Sequence, residues 1–154
     1  MTGGDFYALS DALLQKMEDA SNGEPNEEGR IDDLYEDCLM PFLDGNVPNE
    51  PREVFSDQEW HWYPLTVLLR QEEACGVNLG LGEEMIGYSF SYEVPDIAQA
   101  LSELTPDEIR RRYDEHIDEM NDAPVEELIA LIQGVTAFYQ RAATNGHAVL
   151  FRVT

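Results

Sequence analysis

Residues 124–153 read PVEELIALIQGVTAFYQRAATNGHAVLFRV. Val125, Leu128, Ile129, Ile132, Val135, Tyr139 and Ala142 recur at steps of three and four. That spacing puts them on one face of a helix over Pro124–Thr144, with Leu131 and Phe138 widening the face. Asn145-Gly146 is a helix stop. Ala148–Val153 is a short apolar run of the kind found in buried strands. No acid occurs from Leu128 to the end, although 32 of the 154 residues are Asp or Glu. This helix and strand are therefore expected at the centre of the core.

Upstream, Thr105-Pro106-Asp107-Glu108 combines a cap, a proline at the first helical position and acids in the first turn. The helix it opens carries Ile109, Tyr113, Ile117 and Met120 on one stripe. Asp107–Arg111 and Glu108–Arg112 are favourable pairs four residues apart, whereas Asp114–Asp118 and Glu115–Glu119 repel. Pro95–Leu104 is a shorter helix with Ile97, Ala98, Leu101 and Leu104 inward. Before it, Tyr88, Phe90 and Tyr92 alternate with serines, the period of a half-buried strand over Tyr88–Tyr92. Cys75–Gly87 holds four glycines and reads as a loop or hairpin.

In the first half, Phe6–Leu9 is a strand, and Ser10 caps a helix to about Ala20 that buries Leu13, Leu14 and Met17. Ile31, Leu34, Tyr35, Cys38, Leu39 and Phe42 form the stripe of an amphipathic helix ending near Pro41. Ser56 and Glu59 fit a capping box ahead of Trp60-His61-Trp62-Tyr63, and Pro64 breaks or restarts a helix reaching Leu69. The pattern predicts one domain over residues 1–154. Its class is α+β: mostly helical, packed on a small antiparallel sheet of Phe6–Leu9, Tyr88–Tyr92 and Ala148–Val153.

Nine basic residues against 32 acids give a net charge of −23. Such a surface repels phosphate, so direct nucleic-acid binding and anionic membranes are disfavoured and a basic protein partner is favoured. No apolar run approaches the roughly 18 residues of a membrane span. The opening MTGGDFYALSD has neither the basic n-region nor the long h-region of a secretory signal. Cys38 and Cys75 fit neither a disulfide framework nor a metal ribbon, and the expected compartment is the cytoplasm.

The second half resembles the YfbM-like family of small bacterial proteins of unknown function. Gly87-Tyr88 is similar to that family's Gly-Tyr-Gly element, with Ser89 as the third residue here. Arg112-Tyr113-Asp114 followed by Met120 resembles its Arg-Phe-Asp…Met stretch. Ile97–Leu104 is similar to its short helix, and Phe138-Tyr139, Ala142-Ala143, Gly146 and Ala148-Val149-Leu150 to its closing helix and strand. The first half matches more thinly, through Phe6–Leu14, Trp60 and Leu65–Leu69. After the methionine the family often carries a Tyr-Pro and a longer acidic insert, where this chain has only Asn121-Asp122-Ala123-Pro124. The resemblance implies a compact α+β fold and transfers no reaction and no catalytic residue.

Catalytic motifs fail in turn. Gly87-Tyr88-Ser89-Phe90-Ser91 lacks the second glycine of a nucleophile elbow. Gly76, Gly80 and Gly82 match neither a phosphate loop nor the dinucleotide fingerprint. His116 and Glu119 are one helical turn apart, but two ligands do not make a metal site, and a surface histidine among acids is the plainer reading. His61 and His147 read as structural. No cofactor or metal is expected.

What remains is charge and aromatics. Nine acids lie between Glu18 and Asp37, among them Asp32, Asp33, Glu36 and Asp37, and seven more between Asp114 and Glu127. They form either a solvated face or a docking face for a basic partner. Trp60, Trp62 and Tyr63 are not all expected to enter one core, because helix neighbours point in different directions; core or partial-core packing is the main expectation for them, and one left exposed, with His61 among them, is a favoured interface anchor. The expected function is a non-enzymatic binder of a basic protein, as in an immunity- or antitoxin-like neutraliser. A small-ligand-binding domain or enzyme with a pocket near the aromatic cluster is the alternative, and mimicry of DNA the third.

Overall fold

The computed structural model describes residues 4–21, 38–57, 62–70 and 86–153. Four strands form one antiparallel sheet: β1 (Gly4–Leu9), β2 (Val54–Asp57), β3 (Ile86–Ser89) and β4 (Ala148–Val153), in the order β2-β1-β4-β3. Among the described residues six α-helices accompany it: α1 (Asp11–Ser21), α2 (Met40–Leu43), α3 (Trp62–Arg70), α4 (Val94–Ser102), α5 (Pro106–Glu115) and α6 (Val125–Asn145). The class is α+β, as the sequence pattern predicts.

The chain's last strand is central because both of its faces are apolar. Val149 and Phe151 point into a core shared with α3, α4, α5 and α6, while Ala148 and Leu150 point into a second core shared with α1 and α2. β1 divides in the same way, Phe6 and Ala8 to one side and Tyr7 and Leu9 to the other. The sheet is thus covered on both faces. Phe6 lies opposite Phe151 in register, with ring centroids 4.6 Å apart. Burying each such side chain contributes roughly 1.5–3 kcal/mol.

Local signals set several boundaries. Ser10 Oγ accepts from the Leu13 amide at 3.1 Å, and Thr105 Oγ1 from the Glu108 amide at 3.1 Å. At the end of α6, Gly146 takes φ +69°, so that His147 N donates to Ala142 O and Gly146 N to Ala143 O. This αL turn delivers the chain straight into β4.

The structure corrects the sequence reading at five places. Ser56 does not cap a helix; it lies in β2 opposite Asp5, on a fourth strand at the sheet edge. Four residues are too few to show a period of two, and the Ser-x-x-Glu spacing imitated a cap. β3 starts earlier than expected and pairs only to Ser89, and Phe90 begins a turn into α4, with Glu93 N donating to Phe90 O at 2.9 Å. Helix α2 runs through Pro41 to Leu43, because a proline in the first turn of its own helix forfeits no bond. Helix α5 stops at Glu115, so Ile117 is 53% exposed instead of continuing the stripe. The chain then turns through Asn121 and Asp122, both at positive φ, to bury Met120. Lastly, Glu108 and Arg112 pair as expected at 3.1 Å, but Asp107 pairs with Arg110 in place of Arg111, which binds Glu108 and Glu115.

Candidate functional site

Asp11, Gln15 and Glu18 share one face of α1, because steps of four and three return to the same side of a helix. That face meets the end of β3 and the turn into α4. Tyr88 Oη donates to Glu18 Oε2 at 2.9 Å, and Gln15 Nε2 donates to Asp19 Oδ1 at 3.0 Å. Asp11 holds the turn, accepting from Ser91 N at 2.8 Å and from Ser91 Oγ. An open cleft of about 420 Å³ results, lined by Gln15, Glu18, Tyr88, Phe90, Tyr92 and Glu93.

Its aromatic wall is ordered by stacking. Phe90 meets Tyr88 edge-on at 6.1 Å and 89°, and lies parallel to Tyr92 in an offset stack with centroids 5.9 Å apart and planes at 8°. Tyr92 is nonetheless 75% exposed, so a large ring surface faces solvent. The ring is held by its parallel packing against Phe90.

The electrostatics point one way. Burial, then the hydrogen bond to Glu18, pushes the Tyr88 hydroxyl above its ordinary pKa. The Glu93 carboxylate does the same to Tyr92. Both phenols therefore stay neutral at physiological pH. The two glutamates supply negative charge, and among the described residues no basic side chain lines the cleft. Such a set of groups accepts hydrogen bonds and attracts cations, and contains neither an activated nucleophile nor a base of the histidine type.

A second, smaller cavity of about 140 Å³ lies on the same side of the sheet between Tyr7, Phe42, Val47 and Val54. It has room for a few heavy atoms. Tyr7 donates to Asp5 Oδ2 at 3.3 Å and is pushed up to about 12 by burial first and Asp5 second, so its hydroxyl is no proton acceptor near neutrality.

Of the residues singled out by sequence, Asp32, Asp33, Glu36, Asp37, Trp60 and His61 lie outside the described residues, and Trp62 and Tyr63 are described only as the backbone that opens α3. Cys38 is buried, as expected from its place on the apolar stripe. His116 Nδ1 lies 3.1 Å from Glu119 Oε2, a local hydrogen-bond contact. Among the described residues no group of three His, Cys, Asp or Glu is placed to hold a metal. No helix of the described residues is long and apolar enough to cross a membrane. Sequence reasoning missed the cleft because it assigned Tyr88, Phe90 and Tyr92 to one strand, where alternate residues share a face. Pro95, shortly after them, was the available sign of a turn.

The family model described as a domain of unknown function (DUF1877) matches residues 3–152, and the chain belongs to that family. Among solved structures the chain is similar to the crystal structure of a protein of unknown function, YfbM from Escherichia coli. The TM-score is 0.62 over 99% of each chain, with 12% identity, a likeness of fold. No curated protein matches.

Proposed function

We propose that this member of the family is a non-enzymatic protein that binds a basic protein partner in the cytoplasm, in the manner of an immunity- or antitoxin-like neutraliser. The observation that carries the reading is the cleft between α1 and the β3–α4 turn. Two glutamates line it beside an exposed, stacked tyrosine, with no basic side chain among the described residues of its lining. A net charge of −23 adds long-range attraction for a cationic partner, which accelerates encounter. From the sequence, Asp32, Asp33, Glu36 and Asp37 extend the acidic character of the same reading, and Trp60, His61, Trp62 and Tyr63 supply candidate anchors.

Capture from a native lysate at low salt, followed by rebinding of the purified partner over a salt series, tests this. The expected result is a basic protein whose association slows and weakens as salt rises, because screening shortens to about 8 Å at physiological ionic strength. A salt-insensitive complex, or no partner at low salt, overturns the reading.

A further inference from the structure

We infer that the cleft walled by Tyr92, Phe90, Glu18 and Glu93 is a receptor for an arginine side chain of a polypeptide partner. The inference rests on the basic-partner reading above and names the group recognised. Tyr92 lies parallel to Phe90 and keeps three quarters of its surface in solvent, so it offers a flat π surface of fixed tilt. Asp11 fixes that tilt from below by holding both the amide and the hydroxyl of Ser91, the residue between the two rings. A planar cation stacks on such a surface, and a guanidinium is planar, whereas an ammonium is a compact and strongly hydrated point charge.

The shape favours the same choice. The cleft is open, so a lysine ammonium there keeps its tightly held water and gains little from the ring face. A guanidinium is weakly hydrated and stacks on that face. Its remaining N–H groups need acceptors near the ring, and the carboxylates of Glu93, next to Tyr92 in the chain, and of Glu18 both line the cleft. Glu18 already accepts from Tyr88 through Oε2, an arrangement that orients its carboxylate before any ligand arrives. The electrostatic influence of both Glu18 and Glu93 on Tyr88 and on Tyr92 shows that the two acids share one field.

Hexa-arginine and hexa-lysine peptides of equal length are the probes, with binding followed at low salt by calorimetry and by the ring-proton shifts of Tyr92. The wild type is expected to prefer the arginine peptide by a few-fold, because both cations are drawn to the ring but only the planar, weakly hydrated guanidinium stacks flat on it. Tyr92→Leu should abolish the preference, Tyr92→Phe should retain it, and Glu93→Gln should weaken binding more than the charge-matched Asp118→Asn outside the cleft. Circular dichroism confirms that each variant folds. Equal affinity for the two peptides in the wild type, or a preference that survives Tyr92→Leu, overturns the arginine receptor while leaving the basic-partner reading standing. Failure of both peptides to bind the wild type overturns both. Free arginine that shifts Tyr92 as strongly as the peptide does, at equal guanidinium concentration, overturns the assignment to a polypeptide side chain.

Discussion

The ring of Phe55 on β2 lies directly over Gly134 in the middle of α6, so closely that a Cβ at position 134 would overlap it. This contact explains a glycine inside a 21-residue helix, where it forfeits about 1 kcal/mol of helix propensity relative to alanine. It also seats the edge strand on the helix, since Phe55 packs on the main core and lies 6.3 Å from the ring of Phe6. Gly134→Ala is expected to destabilise by about 1 kcal/mol, the propensity gain being outweighed by overpacking. Chemical denaturation of the single variant and of Gly134→Ala with Phe55→Leu checks the cause. The smaller side chain should restore most of the loss, and a Gly134→Ala protein more stable than wild type would remove the contact from the account.

Arg112 is buried to 1% exposure, and its Nη1 donates to the carbonyl of Leu68 at 2.9 Å, tying α5 to α3. Arg112→Met keeps the apolar stem and loses the donor, and is expected to cost about 2 kcal/mol through the stranded carbonyl. Thermal melts measure it, and a variant within a few tenths of wild type would show that water replaces the guanidinium.

Glu108 receives hydrogen bonds from Arg111 and then Arg112, which hold its carboxyl down at about 2, well below the usual 4.5. A carboxyl depressed in the folded state stabilises above its unfolded pKa, and that contribution disappears as pH falls through the folded value. Stability curves of the wild type and Glu108→Gln should therefore differ at pH 7 and converge between about 4.5 and 2. Parallel curves across that window would contradict the assignment.

Tyr7 behaves in the opposite sense. Its pKa is raised to about 12 from 10.0, so above pH 10 the unfolded chain loses a proton that the folded chain retains. Folding stability should fall as pH rises from 10 towards 12, and Tyr7→Phe should lessen that slope. Absorbance titration of tyrosinate in the two proteins identifies the group: a Tyr7 that ionises near 10 refutes it.

Asp11 connects α1 to the turn after β3 through both hydrogen bonds to Ser91. Asp11→Ala is expected to cost about 1–2 kcal/mol and to raise hydrogen exchange at the Ser91 amide. Ser91→Ala keeps the amide bond and should be milder. Equal exchange in the wild type and Asp11→Ala would mean that the turn stands without the clamp.

The elements legible in sequence share a property: their signals are local and repeated. The α6 stripe, the Thr105 cap and the Gly146 stop each consist of several residues whose spacing or chemistry points to the same conformation. The elements misread were brief or cooperative. β2 is four residues long and owes its existence to β1 beside it, Ile117 is turned outward by a helix end that no breaker residue marks, and Tyr92 left its expected strand because Asp11, eighty residues earlier, binds the backbone of Ser91.

From the sequence alone follow the α+β class, the central place of the closing helix and strand, the burial of Leu13, Leu14, Met17 and Cys38, and the excess of acid. Each depends on hydrophobic period or on charge count, quantities carried by the chain without reference to distant partners. The cleft arises from folding. Gln15 and Glu18 meet Tyr88, Phe90, Tyr92 and Glu93 only because β1 and β3 flank the same strand, β4, so that α1, which follows β1, reaches the far end of β3. Such a meeting of residues about seventy apart is a property of sheet order, and sheet order is set by which long-range pairing buries the most apolar surface, a comparison that no local pattern contains.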